Sequence, residues 1–235
     1  MRITIFAATG GIGTAALEQA VDAGHQVTAV VRNPRRLTRP VPAVTADLSD
    51  PDPEALRRAV AGADAVLSGL GPRRARDAQL AGAAPGRRST AAGITASGTR
   101  AIVDAMLATG VRRIVVVSAA PVGTVPSPGR PNPPKHDPGD GPLMRYVMAP
   151  LIKAIIPRHY ADLALMEDVL RDSGLDWTSV RPPRLTDKPM TGRYRVAYGR
   201  NLRGGVLVSR ADVAHLMLRL LDDPESVKQA VALAN

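Results

Sequence analysis

The chain contains no cysteine among its 235 residues. A disulfide framework, a cysteine–zinc site and a thiol nucleophile are therefore excluded. Aromatic residues are almost as scarce, at one Phe, one Trp and four Tyr, or 3% of the sequence. The core must come mainly from aliphatic side chains, which the 45% hydrophobic content supplies. No stretch approaches the ~20 apolar residues that span a bilayer. The opening residues break into glycines too soon for a secretion signal. A cytoplasmic chain without membrane association is expected.

A long basic tract is also missing, although the formal charge is +10. The arginines are scattered, with short pairs such as Arg35-Arg36, Arg57-Arg58, Arg73-Arg74 and Arg87-Arg88. No aromatics interleave with them to stack on bases. This pattern weighs against nucleic acid and suits an anionic cofactor. The histidines, His25, His136, His159 and His215, lie far apart and show no metal-ligand spacing, so no metal is expected.

What is present is an alternation of short apolar runs and helical periodicity. Strands are expected at 2–6, 26–31, 43–46, 65–67, 114–117, 176–181 and 230–233. Helices are expected at 14–23, 53–61, 91–108, 159–173 and 210–221, with a further candidate at 143–156. The segments 193–198 and 206–208 are expected to pair with each other. Continuous apolar strands suit a parallel sheet covered on both faces. Strand–helix alternation gives an α/β chain with right-handed crossovers. The expected fold is a Rossmann doubly wound parallel sheet in three α/β/α layers, forming one domain over 1–235. A small C-terminal substrate-side region is expected at about 182–208. Two segments break this rhythm, at 72–90 and 121–141, and long active-site loops are expected at 72–90 and 121–158. Long loops of this kind tend to be functional, and both follow expected strand ends, where ligands of such sheets sit.

The first strand runs into Ala7-Ala8-Thr9-Gly10-Gly11-Ile12-Gly13 and then a helix. Gly10 lets the backbone approach a pyrophosphate, and Gly13 lets the helix pack close to the strand. The helix start offers free N–H groups and a partial positive charge to phosphates. About 20 residues on, an NAD-specific site carries an acid for the ribose hydroxyls. Here Arg32 stands there, followed by Asn33-Pro34-Arg35-Arg36, with no carboxylate between Gln26 and Ala46. A guanidinium grips a 2′-phosphate in bidentate fashion, whereas an acid repels it. Arg32 and Arg35 are therefore read as 2′-phosphate ligands, the alternative being a solvated charge cluster. NADP(H) is the expected cofactor. Asp47 ends the third strand, as an adenine contact or as a turn cap. Ser68-Gly69-Leu70-Gly71 leaves room for ribose and pyrophosphate after the fourth.

At these residues the chain resembles the atypical short-chain dehydrogenase/reductases, in the branch of NmrA-like proteins and biliverdin reductase B (flavin reductase). The matching pieces begin with Ala8-Thr9-Gly10-x-x-Gly13, Val31-Arg32-x-x-x-Arg36-Leu37 and Gly98-Thr99-Arg100-x-Ile102-Val103-x-Ala105-Met106. They continue with Leu170-Arg171-x-Ser173-Gly174-Leu175, Arg181-Pro182-Pro183 and Pro189-Met190-Thr191-Gly192-x-Tyr194. The resemblance implies that Thr9, Gly10, Gly11, Ile12 and Gly13 meet the phosphates. It implies that Arg32 and Arg36, or neighbouring Arg35, meet the 2′-phosphate. Asp47, Leu48, Gly69, Leu70 and Gly71 would complete the adenosine and ribose side. Ser118 and Ala119 would lie near the nicotinamide, with Pro182, Pro183 and Arg184 at its amide. There are departures. Ala7 replaces the usual first glycine, which requires a negative φ. A histidine that the flavin reductase keeps near its active site is Glu167 here.

The main branch of that superfamily uses Tyr-x-x-x-Lys. Tyr146, Tyr160, Tyr194 and Tyr198 are followed at the fourth position by Pro150, Ala164, Tyr198 and Leu202, so none qualifies. Alcohol dehydrogenation and sugar epimerisation become poor fits. Hydride transfer to a flavin, quinone or tetrapyrrole needs alignment more than side-chain acids. Ser118 would then donate a hydrogen bond, or merely cap backbone. Tyr160 or Glu167 would relay a proton, unless Glu167 is only a solvated helix charge. The alternative is a non-catalytic NADP(H) sensor of the NmrA-like type. The expected partner is a small-molecule substrate, with the chain a monomer or homodimer.

Overall fold

The computed structural model describes residues 1–71, 93–142, 145–146 and 157–235. The loop expected at 72–90 and most of the helix expected at 143–156 lie outside these. The elements in chain order are β1 (Arg2–Phe6), α1 (Gly11–Asp22), β2 (Gln26–Val31), β3 (Ala43–Thr45), α2 (Pro53–Val60) and β4 (Ala65–Ser68). Then come α3 (Ile94–Thr109), β5 (Arg113–Val117), α4 (Pro157–Asp172), β6 (Asp176–Arg181) and β7 (Arg184–Thr186). The chain ends with β8 (Arg195–Tyr198), β9 (Leu207–Ser209), α5 (Arg210–Arg219) and β10 (Gln229–Ala234).

The main sheet has the order β3-β2-β1-β4-β5-β6-β10-β8. Every pairing from β3 to β10 is parallel, and β8 closes the edge antiparallel to β10. The order reverses between β1 and β4, the switch point at which doubly wound sheets bind ligands. This is the Rossmann arrangement expected from the sequence.

Period-two alternation decides which side chain joins which layer. Ile3 and Ile5 join Ala16, Leu17 and Ala20 of α1 and Val213, Ala214 and Met217 of α5 in one buried cluster. Phe6 joins Leu56 of α2, Ile102 and Met106 of α3, and Met166 and Leu170 of α4 in the other. Thr4 sits among apolar neighbours because its hydroxyl donates to the Ala59 carbonyl at 2.7 Å. Each large aliphatic side chain sealed this way contributes ~1.5–3 kcal/mol.

Helix starts are fixed locally. Asp52 accepts from the Glu54 N–H at 2.9 Å ahead of Pro53, and Ser209 accepts from the Asp212 N–H at 2.9 Å. The α3 start is capped from a distance, because the Asp162 carboxylate of α4 accepts from Thr95 and Ala96 N–H at 3.0 Å each. The start of α1 differs: Gly10 caps it without a side chain, and its first turn holds no acid. Its leading N–H groups stay available.

One expected pairing is corrected. Segments 193–198 and 206–208 do not pair with each other. β8 pairs with β10, Tyr198 opposite Val231, and β9 pairs in parallel with β7, Leu185 opposite Val208. The reason is edge protection. β10 is a buried strand, and without β8 its outer ladder would lie open. β7 escaped the sequence reading because the two prolines before it signal an end, while the chain resumes extended at once.

Candidate functional site

A cleft of about 770 Å³ runs along the C-terminal ends of the parallel strands, across the switch point. At one end it is lined by Val31, Arg32, Arg36, Asp47 and Leu48, at the exits of β2 and β3. Thr9, Gly10, Gly11 and Ile12, at the start of α1, line its middle, opposite Gly69, Leu70 and Gly71. Val117, Ser118, Ala119, Tyr160, Pro182, Pro183 and Arg184 line the far end.

At the first end Arg32 and Arg36 face the cleft, but Arg35 does not line it. Arg35 follows Pro34 in a short turn, and its N–H donates to the Asn33 side chain at 3.1 Å. That turn sends the neighbouring Arg36 to the cleft wall. Asp47 caps its turn, one of its two expected roles, and also stands on the cleft wall. Its carboxylate accepts from Ser49 N at 3.0 Å and Ser49 Oγ at 2.8 Å while lining the cleft. The bonds from Ser49, backbone first, hold its pKa below the ordinary value, and Arg32 adds to this.

In the middle, the backbone geometry corrects one expectation. Ala7 adopts φ +56°, in the left-handed region, not the negative φ expected for alanine. The turn demands it: the Ala7 carbonyl swings round to accept from Gly10 N at 2.8 Å. A side chain there costs ~1–2 kcal/mol, which the surrounding turn absorbs. The same carbonyl explains Gly13. A Cβ at Gly13 would lie 2.1 Å from Ala7 O. Gly13 is therefore a packing glycine under the turn and does not itself line the cleft. Gly10 and Gly11 do, and they present bare backbone at an uncapped helix start. That cradle fits the pyrophosphate of a dinucleotide.

At the far end, Ser118 leaves β5 and its N–H donates to Val180 O at 2.7 Å. Ala120 N donates to Pro182 O at 3.0 Å, which fastens this exit to that of β6. Tyr160 stands opposite on α4, and burial raises its phenol pKa, so it keeps its proton. His159 beside it also lines the cleft, with ring centroids 5.4 Å apart. Burial lowers the His159 pKa, opposed by Asp162, so the imidazole is neutral at pH 7.

Glu167 is neither a solvated charge nor a cleft residue. It is 2% exposed. Its Oε1 accepts from Ser118 Oγ at 2.9 Å, Ser179 Oγ at 2.8 Å and Arg181 Nε at 2.8 Å. Its Oε2 accepts from Arg181 Nη2. Burial alone would raise its pKa, but the Arg181 bond and charge, with the two serines, hold it below the ordinary value. A carboxylate fixed in its ionised form has no proton to relay, so that expected role is withdrawn. Ser118 in turn does not cap backbone with its hydroxyl; it donates to this buried acid.

Of the polar and charged residues lining the cleft, two went unread in the sequence. His159 carried no signal beyond its place at the start of a helix. Arg210 opens α5, and its aliphatic stem packs over Gly11, so that a Cβ at Gly11 would meet Arg210 Cδ at 2.6 Å. Its guanidinium pairs with Asp187, whose side chain is 89% exposed. The usable signal was Gly11 itself, a glycine with no positive φ to explain it.

Comparison with known proteins agrees with this geometry. The family described as NAD(P)H-binding matches residues 7–224. The UPF0659 protein C216.03 of Schizosaccharomyces pombe is 28% identical over 242 residues, covering 99% of this chain and 90% of that protein. Among solved structures, a short-chain dehydrogenase/reductase of Veillonella parvula in complex with NADP superposes with TM-score 0.73 at 17% identity, covering 100% of this chain and 94% of that one. The anaerobillin reductase ChuY of Escherichia coli O157:H7 gives TM-score 0.71 at 22% identity, with 100% and 97% covered. Both structures share the fold.

Proposed function

Since this chain belongs to the NAD(P)H-binding family, we propose that it is a reductase that prefers NADPH and passes hydride to a conjugated small molecule such as a flavin, quinone or tetrapyrrole. The observation that carries the reading is the pair Arg32 and Arg36 at the cleft wall, where an NAD-specific site would hold an acid. Two guanidinium groups suit a 2′-phosphate ester and would gain little from an unmodified ribose.

The reduced nicotinamide supplies the hydride when bound. The protein's own contribution is alignment. Arg32 and Arg36 would hold the adenosine end, Gly10 to Ile12 the pyrophosphate, and the exits of β5 and β6 the nicotinamide end. Pro182 and Pro183 make that wall rigid and apolar. Tyr160 holds a proton at its phenol oxygen and stands where a reduced acceptor could draw on it. Without Tyr-x-x-x-Lys, an acceptor that can also take its proton from water is the better match. The acceptor reading has support in a fold neighbour, ChuY, named as a reductase of anaerobillin.

Calorimetry with NADPH and NADH on the wild type and Arg32→Ala tests the cofactor. We expect about a tenfold or larger loss for NADPH, the weight of one charge-assisted bond, with NADH little changed. Equal losses for both would sink the assignment. Oxidation of NADPH with a panel of flavins and quinones then separates a reductase from the second reading, an NADP(H) sensor. Ser118, whose hydroxyl proton is already committed to Glu167, is the observation that favours the sensor.

A further inference from the structure

The cleft wall at its far end carries a hydrogen-bonding bias that follows from what lies behind it. Glu167 is held ionised by Arg181 in spite of its burial, and an ionised carboxylate only accepts. The bond between Ser118 Oγ and Glu167 Oε1, 2.9 Å long, therefore has one direction: the serine donates. A serine hydroxyl has one proton and two lone pairs. The proton points inward, to the acid. Among the described residues, no donor reaches the Ser118 oxygen, and that residue lines the cleft.

We infer that Ser118 is an obligate hydrogen-bond acceptor toward whatever fills this end of the cleft, and that it selects a ligand group bearing an N–H, a carboxamide or a cyclic imide, over one bearing only a carbonyl. The inference rests on the dinucleotide reading for the identity of the ligand, and it adds what that reading lacks, a polarity at one named atom. The buried pair makes the bias firm. Donation to a carboxylate enriches the hydroxyl oxygen in electron density and strengthens it as an acceptor. Reversing the hydroxyl would strip the acid of a bond in a dry site, where an unmet charge is costly. A bare carbonyl or oxyanion laid against Ser118 meets lone pairs. The serine is therefore no oxyanion donor, and it positions a ligand without supplying a proton.

Two sources could present the N–H: the carboxamide of the nicotinamide, or the imide of an acceptor stacked on it. Calorimetry on the purified full chain distinguishes them. The first arm compares NADP+ with 3-acetylpyridine adenine dinucleotide phosphate, which keeps the carbonyl and lacks the N–H. The second compares riboflavin with 3-methylriboflavin at saturating NADP+. Each pair is run on the wild type, Ser118→Ala and Ser118→Thr, with thermal melts to show that the variants are folded.

We expect the wild type to favour the N–H ligand of one pair by about fivefold, the weight of one neutral hydrogen bond. Ser118→Ala should abolish that preference, and Ser118→Thr, which keeps a hydroxyl, should retain it. The pair that responds names the source. A merely structural serine would shift both ligands of a pair equally, so equal shifts in both arms overturn the inference while leaving the dinucleotide reading intact. Failure of the wild type to bind either dinucleotide overturns both.

Discussion

Glu167 of α4 and Arg181 of β6 form a buried two-point ion pair, with side chains 3% and 8% exposed, directly behind the cleft wall. Ser118 and Ser179 fill the remaining acceptor capacity of Oε1. Such pairs contribute little net stability over an apolar packing of the same volume, yet breaking one half is costly. Glu167→Leu alone should destabilise the fold by ~3–5 kcal/mol, because the buried Arg181 would lose its two-point partner. Glu167→Leu combined with Arg181→Met should recover much of that loss. Urea unfolding of the single and double variants measures it, and additive losses would contradict the account.

Ala7 offers the opposite kind of test, a residue that the fold tolerates at a cost. Its φ of +56° suits glycine. Ala7→Gly relieves the left-handed strain of ~1–2 kcal/mol and gives back ~0.4–1 kcal/mol through a freer unfolded chain. The expected gain is small, seen as a rise of a few degrees in melting temperature. Gly13→Ala should do the reverse and severely, because its Cβ would strike Ala7 O, at 2.1 Å, and backbone cannot swing aside. A Gly13→Ala protein that melts like the wild type would refute this geometry.

Much of this was legible in the sequence, and the misses have physical causes. Alternation and glycine punctuation betrayed β1, α1 and β2, because local periodicity carries that information. The cleft residues from Thr9 to Ile12, Arg32 and Ser118 were legible because each sits at a strand exit, a position that chain order alone assigns. Glu167 was misread because its burial depends on Arg181, a partner from another element that no spacing reveals. The pairing of β8 was missed for the same reason: an edge is closed by whichever strand arrives, and nothing local encodes the choice. Arg35 and Arg36 were indistinguishable in sequence because a short turn at Pro34 decides which one faces the cleft.

Arg210 extends the cationic wall beyond the two arginines of the adenosine end. Its partner Asp187 is almost fully exposed, so the pair holds the guanidinium only weakly. The stem passes over Gly11, at the uncapped start of α1, where the phosphates of a dinucleotide would lie. Arg210→Ala should weaken NADPH and NADH by the same factor, roughly tenfold as for one charge-assisted contact. Raising salt should narrow the difference between wild type and variant. This is the counterpart of Arg32→Ala, which should separate the two nucleotides. A selective loss of NADPH in Arg210→Ala would move that arginine to the 2′-phosphate instead.

Acid should act on the fold in two steps, both of the same sign. Burial lowers the His159 pKa from its ordinary 6.5, so the unfolded chain takes up that proton first. Stability rises with pH wherever the unfolded state binds more protons. As pH falls below 6.5, stability is therefore lost, until the folded-state imidazole titrates as well. Glu167 follows lower down. Its folded pKa is depressed below the ordinary 4.5, mainly by Arg181 acting against burial, so its contribution is present above 4.5 and lost as pH falls toward the folded value. Melting temperature against pH should show an upper limb starting near neutrality and a steeper lower limb. His159→Asn should flatten the upper limb and leave the lower one. An upper limb that survives this substitution would mean that another group, not His159, titrates there.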